Sequence, residues 1–349
     1  MANASVALNG MGFLAPVVGL RRRWSKNPVA IFTYHSVRAL PNGAVASDPG
    51  VVSATPEVFE RQMRWLAEHH RVIGLDELEA DLLRGRVPVD CAMVTFDDGY
   101  RDNFDVAFPI LKRLGLPATF FLATRFISER KVFWWDRISY LLHHTRAERA
   151  EISYPCDLTI DLRDRRSAHR LLTAFVKRQH ALDVERFLQG LGDALGVRFD
   201  RAVETELADA LVLTWDQARE MRRHGMTIGS HTHSHRPLPT LPAADLRAEL
   251  AASKREIEGH LQTDVRAIAY PVGSSLRRMP HILRAAEAAG YTVGFSNVPG
   301  SNALADPTAR LDLRRMSIDP TIPRRTFATM VAFPDVYGMT RLSIRRLRS

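Results

Sequence analysis

Cys91-Ala92-Met93-Val94-Thr95-Phe96-Asp97-Asp98-Gly99-Tyr100 runs from apolar residues into two adjacent carboxylates and stops at a glycine. A short, apolar, partly β-branched run closed by Gly reads as a buried strand. Asp97 and Asp98 then stand at its C-terminal end, where open and barrel α/β sheets place their ligands. Neighbouring strand residues point to opposite sides. Two consecutive carboxylates can therefore take two jobs, one on a metal and one on a substrate. Asp and Gly are also ordinary turn residues, so this stretch alone does not settle the matter.

Ser230-His231-Thr232-His233-Ser234-His235 adds three imidazoles within five residues, directly after the strand-like Met226-Thr227-Ile228-Gly229. Histidine is the commonest metal ligand near neutral pH. Residues four apart lie on one face of a helical turn, so His231 and His235 can reach one cation together. Two imidazoles and a carboxylate around an open position form a catalytic zinc-type or iron-type set.

Thr95 to Gly99 followed by His231 to His235 resembles the two leading motifs of the NodB-homology polysaccharide deacetylases, carbohydrate esterase family 4, of the exopolysaccharide-cluster type. The resemblance implies a distorted (β/α) barrel and metal-dependent removal of an N-acetyl group from an amino sugar. It also implies roles. Asp97 matches the catalytic base, and Asp98, His231 and His235 match the metal set, most often for zinc. Thr232 matches the hydroxyl residue of the loop between the imidazoles. A Tyr-His pair like Tyr34-His35 and a Trp-Trp-Asp like Trp134-Trp135-Asp136 also occur in relatives of this type. Two departures stand out. Ala269 takes the place of an Arg that orients the base, and Val272 follows Pro271 where a Tyr is usual. Asp97 is therefore expected to lack its charged orienter. The backbone amide of Val272, beside Tyr270, remains the expected oxyanion donor. Leu313-Arg314-Arg315-Met316 stands where the family places a general-acid His, which leaves His35 or a water molecule as the expected proton donor.

Working outward, Pro28 to His35 reads as the first barrel strand, with His35 at its C-terminal end. Thr55-Pro56 opens a helix, Arg101 to Leu114 is a second, and Pro117 to Leu122 is the next strand. Strand, helix, strand in succession argues a parallel sheet. Residues 128–213 break the rhythm with Leu- and Arg-rich helical stretches. They read as a helical insertion in a barrel spanning 28–320. Trp134 and Trp135 inside it are core rings or sugar platforms. Thr214 then caps a helix leading to the histidine strand. Val265 to Tyr270 and Tyr291 to Phe295 supply later strands, separated by a helix from Ile282.

Lys and Arg number 48 against 39 Asp and Glu, a basic balance that suits anionic partners. No basic-aromatic interleaving or known motif points to nucleic acid. Cys91 and Cys156 make no disulfide framework, which fits a reducing compartment. Residues 1–27 place a broken apolar run before Arg21-Arg22-Arg23-Trp24, the reverse of a secretory signal. With the basic tail 321–349 they suggest a cytoplasmic protein on an anionic membrane face, acting on a lipid-linked or nascent saccharide. The competing readings are another amide hydrolase on the same scaffold and a carbohydrate-binding relative without turnover.

Overall fold

The computed structural model describes residues 28–39, 48–303 and 309–335. Of the segments expected at a membrane surface, 1–27 and residues 336–349 of the basic tail lie outside them. Eight parallel strands carry the fold: β1 (Ala30–Tyr34), β2 (Arg71–Val72), β3 (Cys91–Phe96), β4 (Thr119–Leu122), β5 (Thr227–Ser230), β6 (Ala267–Ala269), β7 (Val293–Phe295) and β8 (Met316–Ser317). Their order is β7-β6-β5-β4-β3-β1-β8, with β2 beside the start of β3. β8 pairs with β1. Leu313, just before β8, donates to Gly294 O and accepts from Ser296 N–H, both at 2.8 Å. The segment 313–317 thus joins β7 to β1 and closes the sheet into a barrel.

Alternation along the strands sorts the side chains. Phe32, Tyr34, Val94, Phe96, Phe120 and Leu122 belong to the core shared with the surrounding helices. Ile31, Met93, Phe121, Ala267, Val293 and Phe295 belong to a second cluster inside the barrel, which α2 (Leu75–Leu83) joins through Leu75, Leu78 and Leu82. α1 (Pro56–His69) starts as its sequence suggests: the Thr55 side chain accepts from Val58 N–H, and Pro56 occupies the first turn. The stretch 101–114 differs from the single helix expected. Asn103–Ala107 forms a π-turn before α3 (Phe108–Leu114). A buried, hydrogen-bonding Asn103 sits there, its side-chain amide donating to His35 O.

Between β4 and β5 the chain leaves the barrel. α4 (Thr124–Ser128), α5 (Trp134–His144), α6 (Arg165–Arg178), α7 (Val184–Leu195) and α8 (Arg201–Leu211) occupy this stretch. So does an antiparallel hairpin of Arg149–Ile152 and Leu158–Asp161, which a wholly helical reading omits. Its outer residues are polar or charged, and four-residue strands give little periodic signal. The Tyr100 hydroxyl, which accepts from Trp135 Nε1–H, donates to Asp136 at 2.8 Å, and Asp48 N–H donates to the same carboxylate. Asp136 therefore ties the loop after β3, the insertion and the 48–50 turn into one unit. α9 (Trp215–Arg223) opens on a capping box between Thr214 and Gln217. α10 (Ala243–Leu261) and α11 (Pro280–Ala288) flank the later strands, and α12 (Arg324–Ala332) follows β8. Among the described residues, no helix is long and apolar enough to cross a membrane.

Candidate active site

The C-terminal ends of β1, β3, β5 and β6 open on a cavity of about 830 Å³ lined by His35, Asp97, Asp98, His231, His235 and Val272, among others. Its floor follows from strand direction. Asp97 continues the inward face of β3, where Thr95 and Met93 also lie. Asp98 leaves the strand with φ 76°, the left-handed region that releases the chain into Gly99. Thr232 and His235 also have positive φ, 66° and 55°. The loop after β5 is thereby curled so that both imidazoles face one carboxylate.

His231 Nε2 and His235 Nε2 lie 3.4 and 3.3 Å from Asp98 Oδ1. All three candidate donor atoms fall within 4.8 Å of one another. Asp98 Oδ1 is nevertheless buried without a hydrogen-bond partner. Three donors converging on one point, with an orphaned buried oxygen among them, fit a divalent cation. His231 Nδ1–H donates to Ala269 O at 2.7 Å, which fixes the tautomer and leaves Nε2 facing the cluster. Glu249 on α10 accepts from the backbone N–H groups of His233 and Ser234, at 3.0 and 2.8 Å, and from the Ser234 hydroxyl. It holds the loop that carries both imidazoles.

Asp97 is fully buried and is not left without an orienter. Arg315, also fully buried, donates Nη1–H to Asp97 Oδ1 and Nη2–H to Oδ2, each at 2.7 Å. It also donates to Thr95 Oγ1 and Ser296 O and lies over the rings of Phe121 and Phe295. This corrects the expectation drawn from Ala269: the guanidinium arrives from the closing segment instead of from β6. Burial pushes the Asp97 carboxyl up most strongly, but the Arg315 charge and hydrogen bonds, together with the charges of His231 and His35, hold the group below the ordinary range. Burial likewise opposes ionisation of Asp98, and the two adjacent imidazoles override it. Both carboxylates are ionised at neutral pH.

The other expected site residues divide. His35 is half-buried at the end of β1 and lines the cavity. Val272 also lines it, is 45% exposed and has φ 66°, followed by Gly273 at 71°. Trp135 reaches the cavity, 4.5 Å ring to ring from His235. Its indole N–H is spent on Tyr100, so it presents an apolar face. Trp134 does not reach it; that ring is buried beside a separate depression bordered by Leu182 and Glu185. Tyr270 does not line the cavity either, because its buried hydroxyl donates to Leu311 O. The Thr232 side chain is buried with no partner for its hydroxyl, while its backbone oxygen accepts from Thr124 N–H. Its part in the loop is carried by the backbone.

Sequence reasoning missed Arg315 and Glu249. Arg315 lies in the Leu313–Met316 stretch, where its buried place gives no local sign. Glu249 leaves a trace: it shares a helix face with Leu246, Leu250, Ser253 and Ile257, all buried, and a lone acid on an apolar face needs a polar partner.

Comparison with known proteins agrees with this geometry. The chain is 23% identical over 303 residues to YxkH of Bacillus subtilis, covering 86% of this chain and 75% of that protein. It is 31% identical over 113 residues to the poly-beta-1,6-N-acetyl-D-glucosamine N-deacetylase of Staphylococcus epidermidis, a match covering 30% of this chain and 39% of that protein. The fold is similar to the Streptococcus pyogenes deacetylase PplD solved with acetate, at TM-score 0.58 and 18% identity, covering 88% of this chain and 99% of that one. It is also similar to IcaB from Ammonifex degensii, at TM-score 0.54 and 16% identity, covering 88% and 97%. A family model described as polysaccharide deacetylase matches residues 84–294. With that match over more than half its length, on a parallel barrel that gathers Asp97, Asp98, His231 and His235, the chain belongs to the polysaccharide deacetylase family of enzymes.

Proposed function

We propose that this enzyme is a metal-dependent N-deacetylase of an N-acetylated amino sugar in a glucosamine-type polymer or oligomer. The observation that carries the reading is the convergence of Asp98, His231 and His235 around an orphaned buried oxygen, beside the Arg315-held carboxylate of Asp97. A divalent cation on those three residues, zinc before others, would polarise the amide carbonyl and acidify a water molecule, whose free pKa is about 15.7, toward about 7.

The chain's own groups supply the rest. Asp97 accepts the water proton as general base. The Arg315 fork fixes both of its oxygens and keeps it ionised. The Val272 amide, in a turn of two left-handed residues, donates to the developing oxyanion, worth about 3 kcal/mol. His35 hands a proton to the departing amine from the cavity edge. The apolar face of Trp135 packs against the acetyl-sugar side of the cavity. The Staphylococcus epidermidis relative's name, a deacetylase of poly-beta-1,6-N-acetyl-D-glucosamine, supports the choice of sugar.

The test is acetate release from N-acetylglucosamine oligomers. Release should stop with a chelator and return with added zinc. Turnover that persists in chelator would refute the metal role, and tight oligomer binding without acetate would favour a binding relative.

A further inference from the structure

The insertion does more than cover the barrel. α6 turns Ala168, Leu172 and Val176 inward at four-residue intervals. Arg166, His169, Arg170, Thr173 and Lys177, on successive turns of the same helix, line the catalytic cavity. The helix is fixed in place. Its N-cap Asp164 accepts from Ser167 N–H at 3.0 Å, and Arg165 donates to the carbonyls of Leu142, His143 and Thr145 at the end of α5.

The charges of the cavity do not balance. The lining carboxylates among the described residues are Asp48, Asp97 and Asp98. Asp97 is taken by Arg315, Asp98 faces the two imidazoles, and Asp48 lies 3.8 Å from His169. Arg166 and Arg170, exposed and one turn apart, add positive charge to the cleft, and Lys177 on the same helix adds a third cation. A cation at the Asp98 cluster would add more. A polar but neutral sugar needs no such wall. A guanidinium presents a planar fork that matches phosphoryl and carboxylate oxygens, and a cationic wall on a concave cleft concentrates anionic ligands beside it.

We propose that the α6 stripe is a subsite for an anionic group on the saccharide substrate, phosphoryl before carboxylate, held beside the N-acetyl group that enters the catalytic centre. This rests on the deacetylase reading and narrows its substrate class to a charged saccharide. Two cationic forks on one helix face suit a dianionic phosphoryl group better than a single carboxylate.

The test uses the full chain and three N-acetylglucosamine tetramers: one neutral, one with a phosphate on its reducing end, one with that end oxidised to a carboxylate. Binding is read by calorimetry whether or not acetate is released, and acetate is measured separately. The phosphate tetramer should bind about tenfold tighter than the neutral one, the equivalent of one good charge-assisted contact. R166Q/R170Q should bring the two within about twofold of each other, and high salt should do the same to the unsubstituted protein. Equal binding of all three tetramers, or a preference that survives R166Q/R170Q, would overturn the subsite. Carboxylate binding as tight as phosphate would support it with a carboxylate as ligand. Absence of acetate from every tetramer would count against the deacetylase reading and not against the subsite.

Discussion

Arg315 and Asp97 form a fully buried ion pair in which two N–H···O bonds of 2.7 Å run in parallel. Taking both charges out of water costs more than an exposed pair recovers. Two aligned bonds, with Thr95 and Ser296 filling further donors, offset it. Removing one partner leaves the other charged and unpaired. Arg315→Met should therefore lose about 3–5 kcal/mol in chemical denaturation. It should also lower turnover roughly 10²-fold while zinc content stays unchanged. Wild-type stability in this variant would contradict the pairing.

Asp136 sits at the opposite extreme. It is buried against Tyr100, Asp48 and Arg38, and burial first, then the Asp48 charge, push it up to about 7 from 3.8 despite the hydrogen bonds it accepts. Between those values the folded protein keeps a proton that the unfolded chain releases, so its contribution to stability falls as pH rises from about 4 to about 7. Asp136→Asn should flatten that slope. The unsubstituted protein should lose on the order of 2–4 kcal/mol more than the variant across the window, read by denaturation at its two ends. Parallel stability curves would reject the shift. Motif position in the sequence points to candidate site residues but not to the residues that hold them. Ala269 advertises a missing guanidinium, while its replacement is forty-six residues on and reaches Asp97 only because the barrel closes.

Elements that carry a periodic pattern are legible in the sequence. β1, β3 and β4 are runs of buried apolar residues, and the caps at Thr55 and Thr214 form as their residue types predict. β2 and β8 have two residues each, too few for any period to show. β7 and the closing segment meet at Gly294, where a Cβ would come within 2.4 Å of Leu311 O and the Tyr270 hydroxyl. That contact depends on residues far apart in sequence and leaves only a glycine as its sign. The histidine loop is held by an element, not by itself. Glu249 on α10 satisfies two backbone N–H groups that would otherwise be buried alone. Glu249→Ala should weaken zinc binding by about 10–100-fold, the usual cost of losing a residue that orients ligands. Zinc affinity unchanged in a titration would place the loop's rigidity elsewhere.

At the scale of the molecule, a closed parallel barrel brings the ends of β1, β3, β5 and β6 to one mouth, and the insertion between β4 and β5 supplies a wall of that mouth. His35, Asp98, His231 and α6 are far apart in the chain and share a cavity only through this topology. The Asp98, His231 and His235 cluster was readable because both motifs are short and local. The basic wall was not, since Leu- and Arg-rich helices look alike whether their cations face solvent or a cleft. The central claim divides labour between adjacent carboxylates: Asp98 binds the cation with His231 and His235, and Asp97 moves the proton. Zinc per chain and acetate release measured together in Asp97→Asn and Asp98→Asn test it directly. Asp97→Asn should keep its zinc and lose most turnover, while Asp98→Asn should lose both. Loss of zinc from Asp97→Asn with retention in Asp98→Asn would contradict the account.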